Sequence, residues 1–152
     1  MDHLQDVHPL VVHFPVALLP TAAAVYFLTV AIKRDSLAWT GMWMLVLGAI
    51  GAAVAVTTGL LASESVMVST SVRAHLLNPH RNIMLAVLSL SIIAAAWAII
   101  ARPMPARGRL GFLAILLVIV GLIVKGADYG GRMVYDYNAG GNACGQPIDF
   151  TK

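Results

Sequence analysis

Residues 39–62 read WTGMWMLVLGAIGAAVAVTTGLLA, an uncharged stretch of apolar and small residues. A helix rises about 1.5 Å per residue, so about 20 such residues cross the hydrocarbon core of a bilayer. This stretch therefore predicts a transmembrane helix. Its glycines and alanines form a small-residue face, which is typical of close helix packing within a bundle or in a dimer.

Three more apolar stretches flank this segment, and with it they predict four helices over about residues 14–32, 39–62, 80–101 and 110–136. Only 11% of the 152 residues are charged and 59% are hydrophobic, whereas a soluble domain carries about 25% charge. So few charges cannot cover a water-facing surface, and the apolar content argues against a nucleic-acid partner. We predict one all-α domain over residues 1–152, a four-helix transmembrane bundle of two tandem hairpins with an irregular outer tail at 139–152.

The basic residues predict the orientation of the bundle. Five of the ten lysines and arginines fall in the two short turns between helices one and two and between helices three and four: Lys33, Arg34, Arg102, Arg107 and Arg109. By the positive-inside rule these turns face the cytoplasm. Both termini then lie outside, which is the periplasmic side of a bacterial inner membrane.

Four of the five histidines form two pairs of equal spacing, His8 with His13 and His75 with His80. Each pair precedes an odd-numbered helix, and an offset of 67 residues carries the first pair onto the second, as it carries Gly59 onto Gly126. The chain therefore reads as a tandem repeat of one hairpin. Because helices one and three are parallel, matched residues face each other across a pseudo-twofold axis.

Two opposed imidazoles are what a six-coordinate haem iron takes from a protein. His13 and His80 are the favoured axial ligands and metal-binding residues, since each lies at the mouth of its helix. His8 and His75 would support them or bind a second haem. The sequence has no CxxCH motif, so the haem would be haem b, held non-covalently. A histidine at a membrane interface can equally bond water, a lipid headgroup or a helix-end carbonyl.

Charged residues on the same side offer two interpretations. Arg81 and Arg132, with Lys125, could hold haem propionates, whereas Asp128 and Arg132 at i,i+4 predict a local ion pair that neutralises a helix end. The single cysteine, Cys144, faces an oxidising space without a partner in the chain. Methionines outside the membrane could add soft ligands to a copper site.

The motif HPLVVHFP over residues 8–15 closely resembles the opening of a bacterial membrane family, domain of unknown function number twenty-two thirty-one. His80 with Arg81, and GGRMVY over residues 130–135, also match its pattern. The resemblance implies four transmembrane helices and an uncharacterised role, with histidines suggestive of b-type haem. Family members often carry a histidine shortly after the last motif. Here residues 136–140 read DYNAG, so a ligand used elsewhere would be missing.

Three functions remain open at this stage. The leading hypothesis is an electron-transfer protein with haem b near its outer face and a redox partner in the membrane. The second is a cofactor-free accessory subunit, which docks a membrane partner or forms a homodimer through the small-residue face. The third is a copper- or zinc-handling membrane protein. All three favour an electron-transfer, accessory or metal-handling role over an enzyme.

Overall fold

The computed structural model describes residues 4–66 and 68–139, and within them it contains four long helices and no strand. The helices are α1 (Leu4–Ile32), α2 (Ser36–Ser65), α3 (Thr70–Ala101) and α4 (Arg109–Tyr135). Each is long and apolar enough to cross a membrane. The predicted all-α fold with four membrane-spanning helices is confirmed.

Two helices begin earlier than the sequence predicts. Because α1 begins at Leu4, the HPLVVH motif lies inside the helix and does not precede it. The start of α3 is helical from Thr70, passes through a π-helical stretch at Arg73–Leu77, and continues as an α-helix from Asn78. Hydropathy marks only the most apolar part of a helix, whereas these two helices also include the more polar residues before it.

The helices form two antiparallel hairpins, α1 with α2 and α3 with α4. Between the hairpins, α2 packs on α3 and α4 packs on α1. Helices α1 and α3 therefore lie diagonally across the bundle, with their N-terminal ends at the same end. We call this the histidine end, where α1 and α3 begin and α2 and α4 finish. The opposite end, with the two tight turns, is the turn end.

At the turn end, aromatic side chains pack the two hairpins against each other. The Tyr26 ring meets Phe112 edge-on with centroids 4.9 Å apart, and Trp97 meets the same Phe112 at 5.8 Å. The Tyr26 hydroxyl donates to the carbonyl oxygen of Pro103 at 2.9 Å. Such edge-to-face pairs add about 0.5–1.5 kcal/mol to the burial of each ring.

The link between the hairpins builds a second small core at the histidine end. Val72, Leu76 and Leu77 are buried there against Met133 near the end of α4. The Arg73 guanidinium donates to the carbonyl oxygens of Ser63 and Val66, at 3.4 and 3.3 Å, where α2 finishes. These bonds satisfy carbonyls that the end of a helix leaves unpaired.

Burial reveals the register by which the two hairpins correspond. Five of the six buried positions of α1 recur in α3 at an offset of 72 residues: Pro15 and Val87, Leu19 and Ser91, Ala22 and Ala94, Ala23 and Ala95, and Tyr26 and Ala98. Seven of the ten buried positions of α2 recur in α4 at an offset of 71: Gly41 and Phe112, Met42 and Leu113, Leu45 and Leu116, Gly48 and Ile119, Ala52 and Ile123, Ala55 and Gly126, and Ala62 and Met133. The hairpins are therefore repeated, but the 67-residue offset that the histidine spacing predicts is not the one that relates their cores.

Candidate functional site

Two histidines, one from each hairpin, approach each other at the histidine end. In the observed register His8 of α1 corresponds to His80 of α3, and both rings are half-buried. They are close enough for their charges to interact. The diagonal placement of α1 and α3 brings them to the bundle interior from opposite sides.

The imidazole of His8 rests on the last turns of α2. Its Nδ1 lies 3.2 Å from the hydroxyl oxygen of Thr58. The Thr58 hydroxyl lies 3.0 Å from the carbonyl oxygens of Val54 and Ala55. Since the hydroxyl donates its one proton to a carbonyl, its lone pairs are free to accept the Nδ1–H of His8.

The imidazole of His80 rests on α4 in the corresponding way. Its Nδ1 lies 2.8 Å from the carbonyl oxygen of Gly126. A carbonyl can only accept, so this bond places the proton of the neutral ring on Nδ1. Gly126 corresponds to Ala55 in the register of the cores, and Thr58 lies three residues after Ala55, so the two rings bond neighbouring positions of the matched helices.

A glycine faces each ring one helical turn further along. A Cβ atom on Gly59 would lie 2.8 Å from Cε1 of His8, and one on Gly130 would lie 3.3 Å from Cε1 of His80. Gly59 and Gly130 also correspond at the 71-residue offset. Each histidine therefore has a similar seat, made of an oxygen acceptor for Nδ1 and a glycine that leaves room for the ring.

This arrangement prepares both rings to bind a ligand through Nε2. Histidines that bind metals commonly donate their other ring N–H to a carbonyl, carboxylate or water, which fixes the tautomer and the orientation of the ring. Both rings here are held through Nδ1. Each Nε2 is then an unprotonated nitrogen whose lone pair is available to a metal ion.

The other predicted site residues lie outside this cluster. His13 is on the exposed face of α1, because five residues of helix turn it about 140° from His8. His75 is exposed in the π-helical stretch. Of the proposed pair His13 and His80, the structure thus brings only His80 to the interior, where it meets His8.

The basic residues predicted for propionates lie near the histidine end and are exposed. Arg81 follows His80 directly and has no ion pair within the described part of the chain. Arg132 lies 3.6 Å from Asp136, and Lys125 lies 3.3 Å from Asp128. The predicted ion pair between Asp128 and Arg132 is therefore wrong, since each side chain pairs with another residue of α4.

Part of the prediction lies beyond the described residues. Cys144 and residues 140–152 of the outer tail fall outside them, as does Met67. Within residues 4–66 and 68–139, no group of three or more histidine, cysteine, aspartate or glutamate side chains is placed to hold a metal ion.

The residues that seat the histidines carry no signal that hydropathy could find. Ala55, Thr58 and Gly59 lie in an apolar stretch in which every face of the helix looks alike. The Gly59–Gly126 match noted from the sequence combined the glycine that faces one ring with the residue whose carbonyl oxygen accepts from the other ring. Only the rotation of each helix about its axis shows which residues face a histidine.

Comparison with known proteins identifies the family. The family described as "Predicted membrane protein (DUF2231)" matches residues 5–143, almost the whole chain, so the chain belongs to this family. No curated protein and no solved structure matches the chain.

Proposed function

We propose that this member of the DUF2231 family of predicted membrane proteins binds haem b non-covalently and transfers electrons, with His8 and His80 as the axial ligands. The observation that carries the proposal is the pair of matched seats. Each hairpin contributes one half-buried imidazole, held through Nδ1, to the same end of the bundle.

Two imidazoles suit a haem better than a bare metal ion. A structural zinc ion takes four protein ligands, and the described residues gather no group of three or more histidine, cysteine, aspartate or glutamate side chains. A haem iron brings four porphyrin nitrogens and takes two ligands from the protein. The bound haem would supply one-electron chemistry, and the chain would supply the axial ligands and their surroundings.

The chain's own residues give each ligand a defined position. The Gly126 carbonyl and the Thr58 hydroxyl orient the two rings and increase the basicity of each Nε2. Gly59 and Gly130 allow each ring to lie directly against a helix. Exposed Arg81 and Arg132 lie beside this end of the bundle, where a guanidinium can pair with a propionate at the membrane surface.

The charge distribution supports an outward-facing site. The turn end carries five lysines and arginines in two short turns, which favours a cytoplasmic location for that end. We propose that the histidine end lies on the periplasmic side of a bacterial inner membrane, where it exchanges electrons with a redox partner. Reporter fusions after Ile32 and after Ser65 test this, since only the second should be active as a periplasmic phosphatase.

The visible spectrum of detergent-purified protein tests the haem proposal. After expression with ample haem, or after addition of hemin, we expect a Soret band and the sharp reduced α-band of a six-coordinate low-spin iron. His8→Ala and His80→Ala should each lose the low-spin spectrum. His13→Ala is the matched control from the exposed face of α1 and should keep it.

Several outcomes would overturn the proposal. A folded protein without a Soret band in the presence of hemin would remove haem binding. Loss of the low-spin spectrum in His13→Ala but not in His8→Ala would return the ligand role to His13. Stoichiometric copper or zinc, lost on mutation of His80, would make the chain a metal-handling protein.

A further inference from the structure

The turn end contains a cavity that the proposed haem site does not use. Its volume is about 120 Å³, which is several times the roughly 15 Å³ needed to admit one water molecule. The lining residues come from the end of α1, the start of α2, the second turn and the start of α4: Thr29, Val30, Lys33, Asp35, Met104 and Arg109.

The charge of this cavity is positive. Lys33, Arg109 and one carboxylate, that of Asp35, line it, and neither cation forms an ion pair within the described residues. The N-terminus of α4 lies beside them, because Arg109 is its first residue and Gly108 provides no side-chain cap. The free N–H groups of this end add to the attraction for an anion.

The backbone at Lys33 is unusual for a lysine. Lys33 has φ of 53°, in the left-handed region that favours glycine. This position directly follows α1, where glycine is the usual residue at the end of a helix. A lysine here places a cation at the cavity despite an unfavourable backbone conformation.

The surroundings of the cavity are apolar and exposed. Ile32 is 48% exposed and Leu110 is 83% exposed, and they adjoin Lys33 and Arg109. Val30 and Met104 form an apolar part of the wall. A ligand that fits both features has an anionic phosphate for the cations and hydrocarbon chains that run along the exposed helices.

We propose that this cavity binds the phosphate of an anionic phospholipid, with Lys33 and Arg109 as the phosphate-binding residues. Basic pockets between transmembrane helices are known to take lipid headgroups, and each cation near an anionic surface contributes about 1 kcal/mol, or about five-fold in affinity. The proposal does not depend on haem binding at the other end of the bundle.

Titration of detergent-purified protein with phosphatidylglycerol tests this site, with native mass spectrometry as the readout of bound lipid. We expect phosphatidylglycerol to bind at least about five-fold more tightly than zwitterionic phosphatidylcholine. Lys33→Gly combined with Arg109→Gln should abolish the preference. The glycine suits the left-handed backbone, so the variant should still fold, and thermal unfolding checks this.

Arg107→Gln is the matched control, because Arg107 lies in the second turn but does not line the cavity. It should keep the preference for phosphatidylglycerol. A preference that survives in the double variant, or is lost equally in Arg107→Gln, would overturn the site. The site would also be overturned if inorganic phosphate stabilised the wild-type protein against thermal unfolding as well as the lipid does, since the ligand would then be free phosphate.

Discussion

The two hairpins share a fold and a histidine seat but pack by different means. In the first hairpin, glycines of α2 face α1 closely. A Cβ atom on Gly41, Gly48 or Gly51 would lie 3.1, 2.7 or 2.5 Å from Tyr26, Leu19 or Phe14 respectively. In α4 the corresponding positions hold Phe112, Ile119 and Leu122, and these bulky residues fill the space between helices.

One glycine position is the exception. Gly59 corresponds to Gly130, and each faces a histidine of its own hairpin. At these three positions the first hairpin packs through glycine and the second through bulky residues, whereas the position that faces the histidine ring is glycine in both. This contrast distinguishes residues that pack the helices together from residues that orient a histidine ring.

The largest loss of stability should come from replacing a packing residue of one hairpin by the residue at the matched position of the other. We expect Gly48→Ile, which introduces the residue of the matched position 119, to destabilise the fold by about 3 kcal/mol, the upper end of the range for overpacking. Leu19, the residue it would strike, is 1% exposed and cannot move into lipid. Unfolding of the purified protein in mixed micelles measures the loss.

Gly121→Ile provides the control for this exchange. A Cβ atom on Gly121 meets nothing within 4 Å, so the same substitution should change stability by less than about 0.5 kcal/mol. If both variants are equally destabilised, the loss does not come from the contact with Leu19, and the first hairpin is not packed through its glycines.

The two glycines that face the histidine rings should differ in how strongly their substitution weakens hemin binding. Gly59→Ala brings a Cβ atom to 2.8 Å from the ring of His8, which forces the ring to move, whereas Gly130→Ala meets His80 at 3.3 Å and requires a smaller shift. A displaced metal-binding histidine costs about ten-fold in affinity. Hemin titration followed by absorbance should show that loss for Gly59→Ala and a smaller loss for Gly130→Ala. The reverse order would contradict the two seats as described.

Sequence alone predicts the helices but not their faces. The four apolar stretches predict four spanning helices because length and hydropathy suffice for that conclusion. A helix in lipid is apolar on every side, so the sequence cannot show that Leu19 is buried while Phe14 is 50% exposed. Without the faces, the equal histidine spacings point to His13 and not His8.

The repeat illustrates the same limit. Two histidine pairs with one spacing suggest a 67-residue offset, yet His8 and His80 correspond at 72 residues. The sequence does limit which histidines can share one centre. An i,i+5 pair on a helix cannot face one centre, so each hairpin can supply one ring only.

The Thr58 hydroxyl bonds His8, whereas a backbone carbonyl oxygen bonds His80. Only the first of these two hydrogen bonds can therefore be removed by a side-chain substitution. Thr58→Val removes the hydroxyl that faces Nδ1 and keeps the shape of the side chain. We expect about 1 kcal/mol of lost ligand positioning, seen as about five-fold weaker hemin binding. Thr58→Ser retains the hydroxyl and should bind as the wild type does. Equal binding by Thr58→Val would show that the Thr58 hydroxyl does not orient His8.

The smallest effects should come from the two arginines beside the seats, and they should be unequal. Arg81 adjoins His80 and has no ion pair among the described residues, whereas Arg132 already faces Asp136 at 3.6 Å. Both side chains are exposed, so a propionate pair with either is worth at most about 1 kcal/mol. Arg81→Gln should weaken hemin binding about two- to five-fold, with the loss fading at high salt. Arg132→Gln should change it less, because a propionate must first displace Asp136. If Arg132→Gln has the larger effect, the propionates lie on the α4 side of the bundle and not beside the start of α3.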